Sequence, residues 1–169
     1  GYYHASIFLL DESGLNAVIR ESTGEAGEEM KRRGHRLAVG SQSVIGYVTQ
    51  SGAPLVINNV AQNPTHRPNP LLPDTKSELG IPLKIGYRVM GALDVQSNQV
   101  DAFTPDDVSV LQTLADQIAV AVDNARSYEM AQLAIAESRK RVQELSVLYN
   151  VSQSLSSAPL ESVEIANII

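Results

Sequence analysis

Apolar and polar positions alternate along Tyr3-HASIFLLD, a β-rich run that predicts a strand. Glu12-Ser13-Gly14 reads as a turn, and Leu15-NAVIRES as a second strand closing a hairpin with the first. Between Thr23 and Arg36 the pattern dissolves into Gly and charge, which predicts an exposed loop. Ser43-VIGYVTQS-Gly52 has the look of a short amphipathic helix with a Ser start and a Gly stop. Pro54-LVINNV predicts a third strand. Ser77-ELGIPLKIG predicts a fourth, with Pro82 pointing to an edge or a bulge, and Tyr87 to Ser97 a fifth. Ala61 to Thr75 holds four of the eight prolines, and proline removes donors and fixes φ, so a long irregular loop is expected there.

The rest of the chain is helical in period. Thr104-Pro105-Asp106-Asp107 combines an N-cap, a proline at the first helical position and acids near the positive end of the helix dipole. Thr104 and Asp107 also have capping-box spacing. From Pro105 the helix is predicted to run to about Ser156, about 75 Å at 1.5 Å per residue. Leu111, Ala115, Ile118, Val122 and Ala125 make one stripe suited to covering a sheet. Tyr128, Ile135, Val142 and Tyr149 then recur every seven residues, with Ala131, Ser138, Leu145 and Ser152 three places later. This second pattern predicts a parallel coiled-coil linker through Tyr128, Ile135, Val142, Leu145 and Tyr149, and hence a homodimer; a solvated helix with incidental spacing is the alternative. Pro159 should end the helix and Leu160-ESVEIANII begin another.

Composition narrows the function. The 169 residues suit one domain with appendages, and 43% hydrophobic residues is ordinary for a globular protein. A net charge of −6 argues against nucleic acid, whose partners carry basic faces. The Lys31-Arg32-Arg33 cluster with Arg36 follows Glu25, Glu28 and Glu29, so its charges nearly cancel and a solvated surface is expected. No run approaches the roughly 18 apolar residues of a membrane span, so no direct membrane contact is expected. With no cysteine, disulfides, thiolate metal sites, thiol nucleophiles and thioether-linked chromophores are excluded. A cytoplasmic setting is compatible with this, whether or not the parent protein is membrane-anchored.

Three local stretches, Val39-GSQSVIGYVTQSGAPLVINNV, Ser77-ELGIPLKIG, and Gly91-ALDVQS with Phe103-TPDD, resemble the sequence hallmarks of GAF domains over residues 3 to about 128. The order of elements resembles that family too. The resemblance implies an α+β fold related to PAS domains, with a central antiparallel sheet of about five to six strands and helices on one face. On the other side, a loop at Gln62–Thr75 would roof a ligand pocket. The family's first helix is missing before Tyr3, while Gln143-ELSVLYNVSQSLSSAPLESVEIANII resembles the start of another GAF domain. The chain is therefore expected to come from a larger tandem protein. It would comprise a domain over 1–128, a helical linker over 129–156 and the start of a following domain over 157–169. Residues 143–169, from the same or a partner chain, would cover the sheet face lacking its helix.

Candidate chemistry is sparse. The family's bilin-binding members and its methionine sulfoxide reductases use Cys, so neither function is expected here. Cyclic-nucleotide-binding members carry an Asn-Lys pair and a Phe-x3-Asp-Glu motif. Phe103 and Asp107 match the latter, but Val108 and Ser97-Asn98 do not, so this ligand is disfavoured. His4, His35 and His66 lack metal spacing, His35 reads as solvated, and no cofactor or metal is expected. No Ser–His–Asp arrangement is supported, and Glu78 and Asp94 read as isolated carboxylates, Asp94 nearer the sheet rim than the interior. The candidate ligand contacts are Asn59, His66, Arg67, Ser77, Glu78 and Asp94. Together these readings predict a non-enzymatic sensory module of a bacterial-type signalling protein, such as a sensor kinase, two-component protein or cyclase. It would bind an unknown small molecule and signal through its helix. A ligand-free structural dimerisation module is the alternative.

Overall fold

A computed structural model describes residues 2–157 of the chain. Along them run β1 (His4–Leu10), β2 (Asn16–Ser22), α1 (Gly24–Arg32), β3 (Arg36–Ala38), α2 (Val44–Ser51) and β4 (Leu55–Ile57). A 3-10 turn at Val60–Gln62, β5 (Ser77–Ile85), β6 (Arg88–Ser97) and α3 (Pro105–Ser157) complete the order. Two compact units are present, Gly1–Asp123 and Asn124–Ile169, a boundary a few residues before the expected one at 128. Residues 158–169, on which the reading of a following domain rests, lie outside the described part.

The strands form one six-stranded antiparallel sheet in the order β3-β2-β1-β6-β5-β4. The β1–β2 hairpin is closed by Asp11, whose carboxylate accepts from Ser13 Oγ at 2.7 Å and Asn16 Nδ2 at 2.8 Å. That local fit is the Asx-turn chemistry favouring Asp at such a position. β1 also pairs with β6, placing Ser6 opposite Asp94 and Phe8 opposite Ala92.

Alternation along the strands divides the core between the two faces. On one face Leu79, Ile81, Leu83, Leu93 and Val95 pack with Phe103 and with Leu111, Ala115 and Ala119 of α3. On the other, Phe8, Ala17, Ile19, Ile57 and Ala92 pack with Val44, Ile45 and Val48 of α2, Met30 and Leu72. β5 and β6 are covered on both sides, which accounts for their near-continuous burial. The first part of α3, through Ala119, occupies the helical face that the resemblance implies, while the short α1 and α2 join the loops on the opposite one. Close packing of α2 demands a glycine beneath it. A Cβ at Gly80 would stand 2.6 Å from Val44 Cγ1 and 2.8 Å from Val48 Cγ2.

The predicted caps form. Ser43 Oγ accepts from the Gly46 amide at 2.9 Å, and Gly52 ends α2 in the left-handed region at φ 65°. Thr104 and Asp107 exchange bonds, 2.9 Å from the Thr104 amide to Asp107 Oδ2 and 3.2 Å from the Asp107 amide to Thr104 Oγ1. In the α3 stripe Leu111 and Ala115 are buried as expected, Ala119 joins them, and Ala125 is exposed.

One expectation is corrected. Thr23–Arg36 is not a loop, since it contains α1 and opens β3. Its charges bond along the helix, Arg32 and Arg33 to Glu29 and Lys31 to Glu28, and Lys31 also reaches Glu21 on β2, while Met30 is buried beneath. Leu37 pairs with Ala17 in β3, a strand too short for its alternation to register. Pro82, opposite Ala92, lies one residue from a register irregularity at Leu83/Lys84, in keeping with the edge or bulge expected there. It is tolerated because β4 pairs only with Glu78–Gly80, leaving the stretch around Pro82 a neighbour on one side alone.

Candidate ligand-binding site

The face bearing α2 also bears a cavity of about 390 Å³. Its floor comes from alternate residues of three adjacent strands: Ser6 and Phe8 of β1, Asp94 and Gln96 of β6, and Glu78 of β5. Residues two apart on a strand share a face, and the antiparallel register sets Glu78 opposite Gln96 and Asp94 opposite Ser6. Met30 and Ile45 add apolar wall, and the loop from Arg67 to Leu72 forms the roof. Arg33, Arg36 and Arg67 line the more exposed part together with His35.

The floor holds unusual electrostatics. Asp94 is 3% exposed and Glu78 6%. Asp94 Oδ2 accepts from Gln96 Nε2 at 2.7 Å, whereas buried Oδ1 receives a hydrogen bond from no donor. Burial pushes Glu78 up to about 7, only partly offset by its contact with Asp94. Asp94 is held well above the ordinary carboxylate range, first by burial and then by the Glu78 charge beside it. Two carboxyls in contact away from water are stable only if the pair retains a proton.

His66 reaches down from the roof, its Nδ1 lying 2.6 Å from Glu78 Oε2. Burial lowers the imidazole's proton affinity more than the nearby Asp94 raises it. The contact is a hydrogen bond that ties the roof to the floor. His35, against Phe8 at a ring separation of 6.1 Å, is likewise lowered, by burial and then by Arg67. The cavity thus has an acidic, desolvated floor, apolar walls and a basic rim.

A family model described as "GAF domain" matches residues 1–123. The chain belongs to the GAF domain family. Similar solved structures include the GAF domain of a phosphoenolpyruvate-protein phosphotransferase from Coxiella burnetii. It is 23% identical, with a TM-score of 0.67 over 75% of this chain and 74% of that one. The corresponding Acinetobacter domain is 27% identical, with a TM-score of 0.62 over 73% and 72%. A free methionine-R-sulfoxide reductase from Neisseria meningitidis, solved with its substrate, shares the fold at 22% identity, with a TM-score of 0.63 over 75% and 71%.

In this GAF domain, four of the six candidate ligand residues converge. Arg67, Glu78 and Asp94 line the cavity, and His66 is bonded to Glu78. Glu78 and Asp94 are thus not isolated, and Asp94 is in the sheet interior. Asn59 and Ser77 fall elsewhere. Asn59 Oδ1 caps the 3-10 turn by accepting from the Ala61 amide at 3.2 Å. Ser77 points to the opposite sheet side from Glu78 and donates to the Gln99 carbonyl at 2.8 Å. His35 is half-buried in the cavity wall, not solvated. Ser6, Phe8, Met30, Ile45, Leu72 and Gln96 escaped the sequence reading. Only the parity of Ser6 and Phe8 with His4, and of Gln96 with Asp94, offered a signal.

Proposed function

We propose that this domain is a non-enzymatic sensory module of a signalling protein, which binds a small ligand in the cavity between its sheet and the Arg67–Leu72 roof. The observation that carries the reading is the acidic floor. A buried carboxyl oxygen with no donor costs free energy, and such costs persist where a site has work to do. The absence of cysteine removes the thiol chemistry available to a nucleophilic enzyme. The Neisseria relative, solved with its substrate, supports the fold's capacity to hold a small molecule.

Ligand capture would bias the floor and roof, and the change would pass to an output through α3 as a population shift. Tyr128, Ile135, Val142 and Tyr149 on one heptad phase, and Leu145 three places after Val142, are all substantially exposed, which supports a homodimer formed through this helix. No helix among the described residues is long and apolar enough to cross a membrane.

A thermal-shift screen against organic amines, amino acids, organic acids and cyclic nucleotides tests the sensory reading. A ligand present at 100 times its Kd should stabilise the fold by about 2.7 kcal/mol. A dose-dependent rise in Tm that disappears in Glu78→Gln is expected. A flat response across all classes, with an intact dimer, would instead favour a purely structural dimerisation module.

A further inference from the structure

The cavity's own chemistry narrows its ligand, and the narrowing rests on the sensory reading above. Among the described residues, Glu78 has one side-chain partner outside the floor, His66, and Asp94 forms no ion pair. Arg33, Arg36 and Arg67 line the same cavity, yet none forms an ion pair with either acid. Arg33 is engaged with Glu29. The two most buried acids of the domain are therefore without an Arg or Lys ion pair among the described residues, although three arginines line the outer part of the cavity.

An occupant that satisfies this floor must bring donors, and charge-assisted donors do so most strongly. It must also be small, and part of it must be apolar, because Phe8, Met30, Ile45 and Leu72 form the adjoining walls. A neutral amide would leave the buried negative charge unbalanced. A carboxylate or phosphate placed on the floor would add negative charge where burial already disfavours it. A polyamine would carry further positive charge against the arginine rim. We propose that the cavity takes a small organic monoammonium with a branched or unbranched apolar tail, its N–H groups donating to Asp94 Oδ1 and to the Glu78 carboxylate. Arriving there, the ammonium competes with His66 for Glu78, and so loosens the one side-chain bond from the roof residue to the floor acid. That competition supplies the conformational link between capture and roof movement.

The same chemistry fixes the sign of the pH dependence. The ammonium pairs with ionised carboxyls, so binding expels the proton that the empty floor retains. Glu78 titrates at about 7, and the groups facing it are Asp94 and Gln96 on β6, Ser6 on β1 and His66 from the roof, with His35 and the three arginines farther out. Affinity should therefore rise from pH 6 to pH 8, with net proton release on binding.

Three compounds sharing one branched tail separate the head groups: isoamylamine, L-leucine and 4-methylpentanoic acid. Calorimetric titration of the full chain at pH 8 is expected to show saturable binding of isoamylamine and none of the acid. Leucine reports the source of the ammonium. Tighter binding of leucine, reduced in Arg67→Ala, identifies an amino acid whose carboxylate meets the rim; weaker binding identifies a simple amine. Both Asp94→Asn and Glu78→Gln keep size and hydrogen bonding while removing charge, and each should lower the amine affinity by about tenfold or more. Circular dichroism of both variants guards against a folding defect. Equal binding of 4-methylpentanoic acid, or undiminished amine binding in both variants, overturns the ammonium assignment while leaving a ligand pocket in place. Binding of none of the three also overturns it, and the sensory reading then stands or falls separately on the thermal-shift screen.

Discussion

A single residue, Asp94, carries a conflict between stability and use. Its carboxyl sits in the middle of the sheet, next to Glu78, with one oxygen unserved. Both acids hold their protons more tightly in the folded chain than in the unfolded one, where Glu78 would titrate near 4.5. Between that pH and about 7 the folded state therefore binds more protons, so stability falls as pH rises through the window. Urea unfolding should show this slope, and Asp94→Asn should flatten it and add about 1–3 kcal/mol at pH 8. A variant less stable than the parent at pH 8 would contradict the assignment of a strained floor. Gly91 illustrates the opposite case, a residue set by space alone. A Cβ there would stand 2.0 Å from the Phe8 carbonyl oxygen, so Gly91→Ala should cost about 2 kcal/mol or more, read as a lowered urea midpoint. Neither Asp94's burial nor the crowding at Gly91 can be seen in the chain, because both arise from β1 lying against β6 across some 85 residues.

At the level of elements, local chemistry carried further. The caps of α2 and α3, the Asp11 turn and the alternation of β1, β5 and β6 all depend on neighbours within a few residues. Thr104→Ala should accordingly destabilise the domain by about 1 kcal/mol, with Thr104→Ser nearly neutral, as thermal melts would report. α1 was hidden because its polar face dominates nine residues and the companions of its one large apolar anchor, Met30, are only the small Ala26 and Gly27. Helices this short form only where tertiary packing holds them. α2 gives the complementary lesson. Its amphipathic pattern was plain, but the close approach that puts Val44 and Val48 over Gly80 was not. Gly80→Ala should push α2 off the sheet and lower stability by about 1–3 kcal/mol. Because Ile45 is part of the wall, ligand affinity should fall with it.

For the molecule as a whole, the exposed heptad residues of the Asn124–Ile169 unit make the decisive prediction. Ile135→Glu combined with Val142→Glu places like charges at successive seam positions, where a dimer would have to desolvate them. Sedimentation equilibrium should show a dimer for the parent chain and a monomer for the double variant, with the sheet's circular dichroism unchanged. A parent chain that sediments as a monomer would remove the dimeric route for the signal and leave only a change within one chain.

The sequence by itself determined the period of each major element, the positions of its caps and turns, the family and the exclusion of thiol chemistry. Those properties are local or compositional, so a window of residues contains their causes. Only the tertiary structure decided that Glu78 and Asp94 share one desolvated floor, that His66 bonds to it from the roof, and that Ser77, one residue from Glu78, faces the other way. Pairing register determines which distant side chains share a sheet face, and a shift of one residue would exchange every one of them. The electrostatics of the site follow from that register, because a carboxyl becomes unusual only when water is removed and a second one is brought beside it.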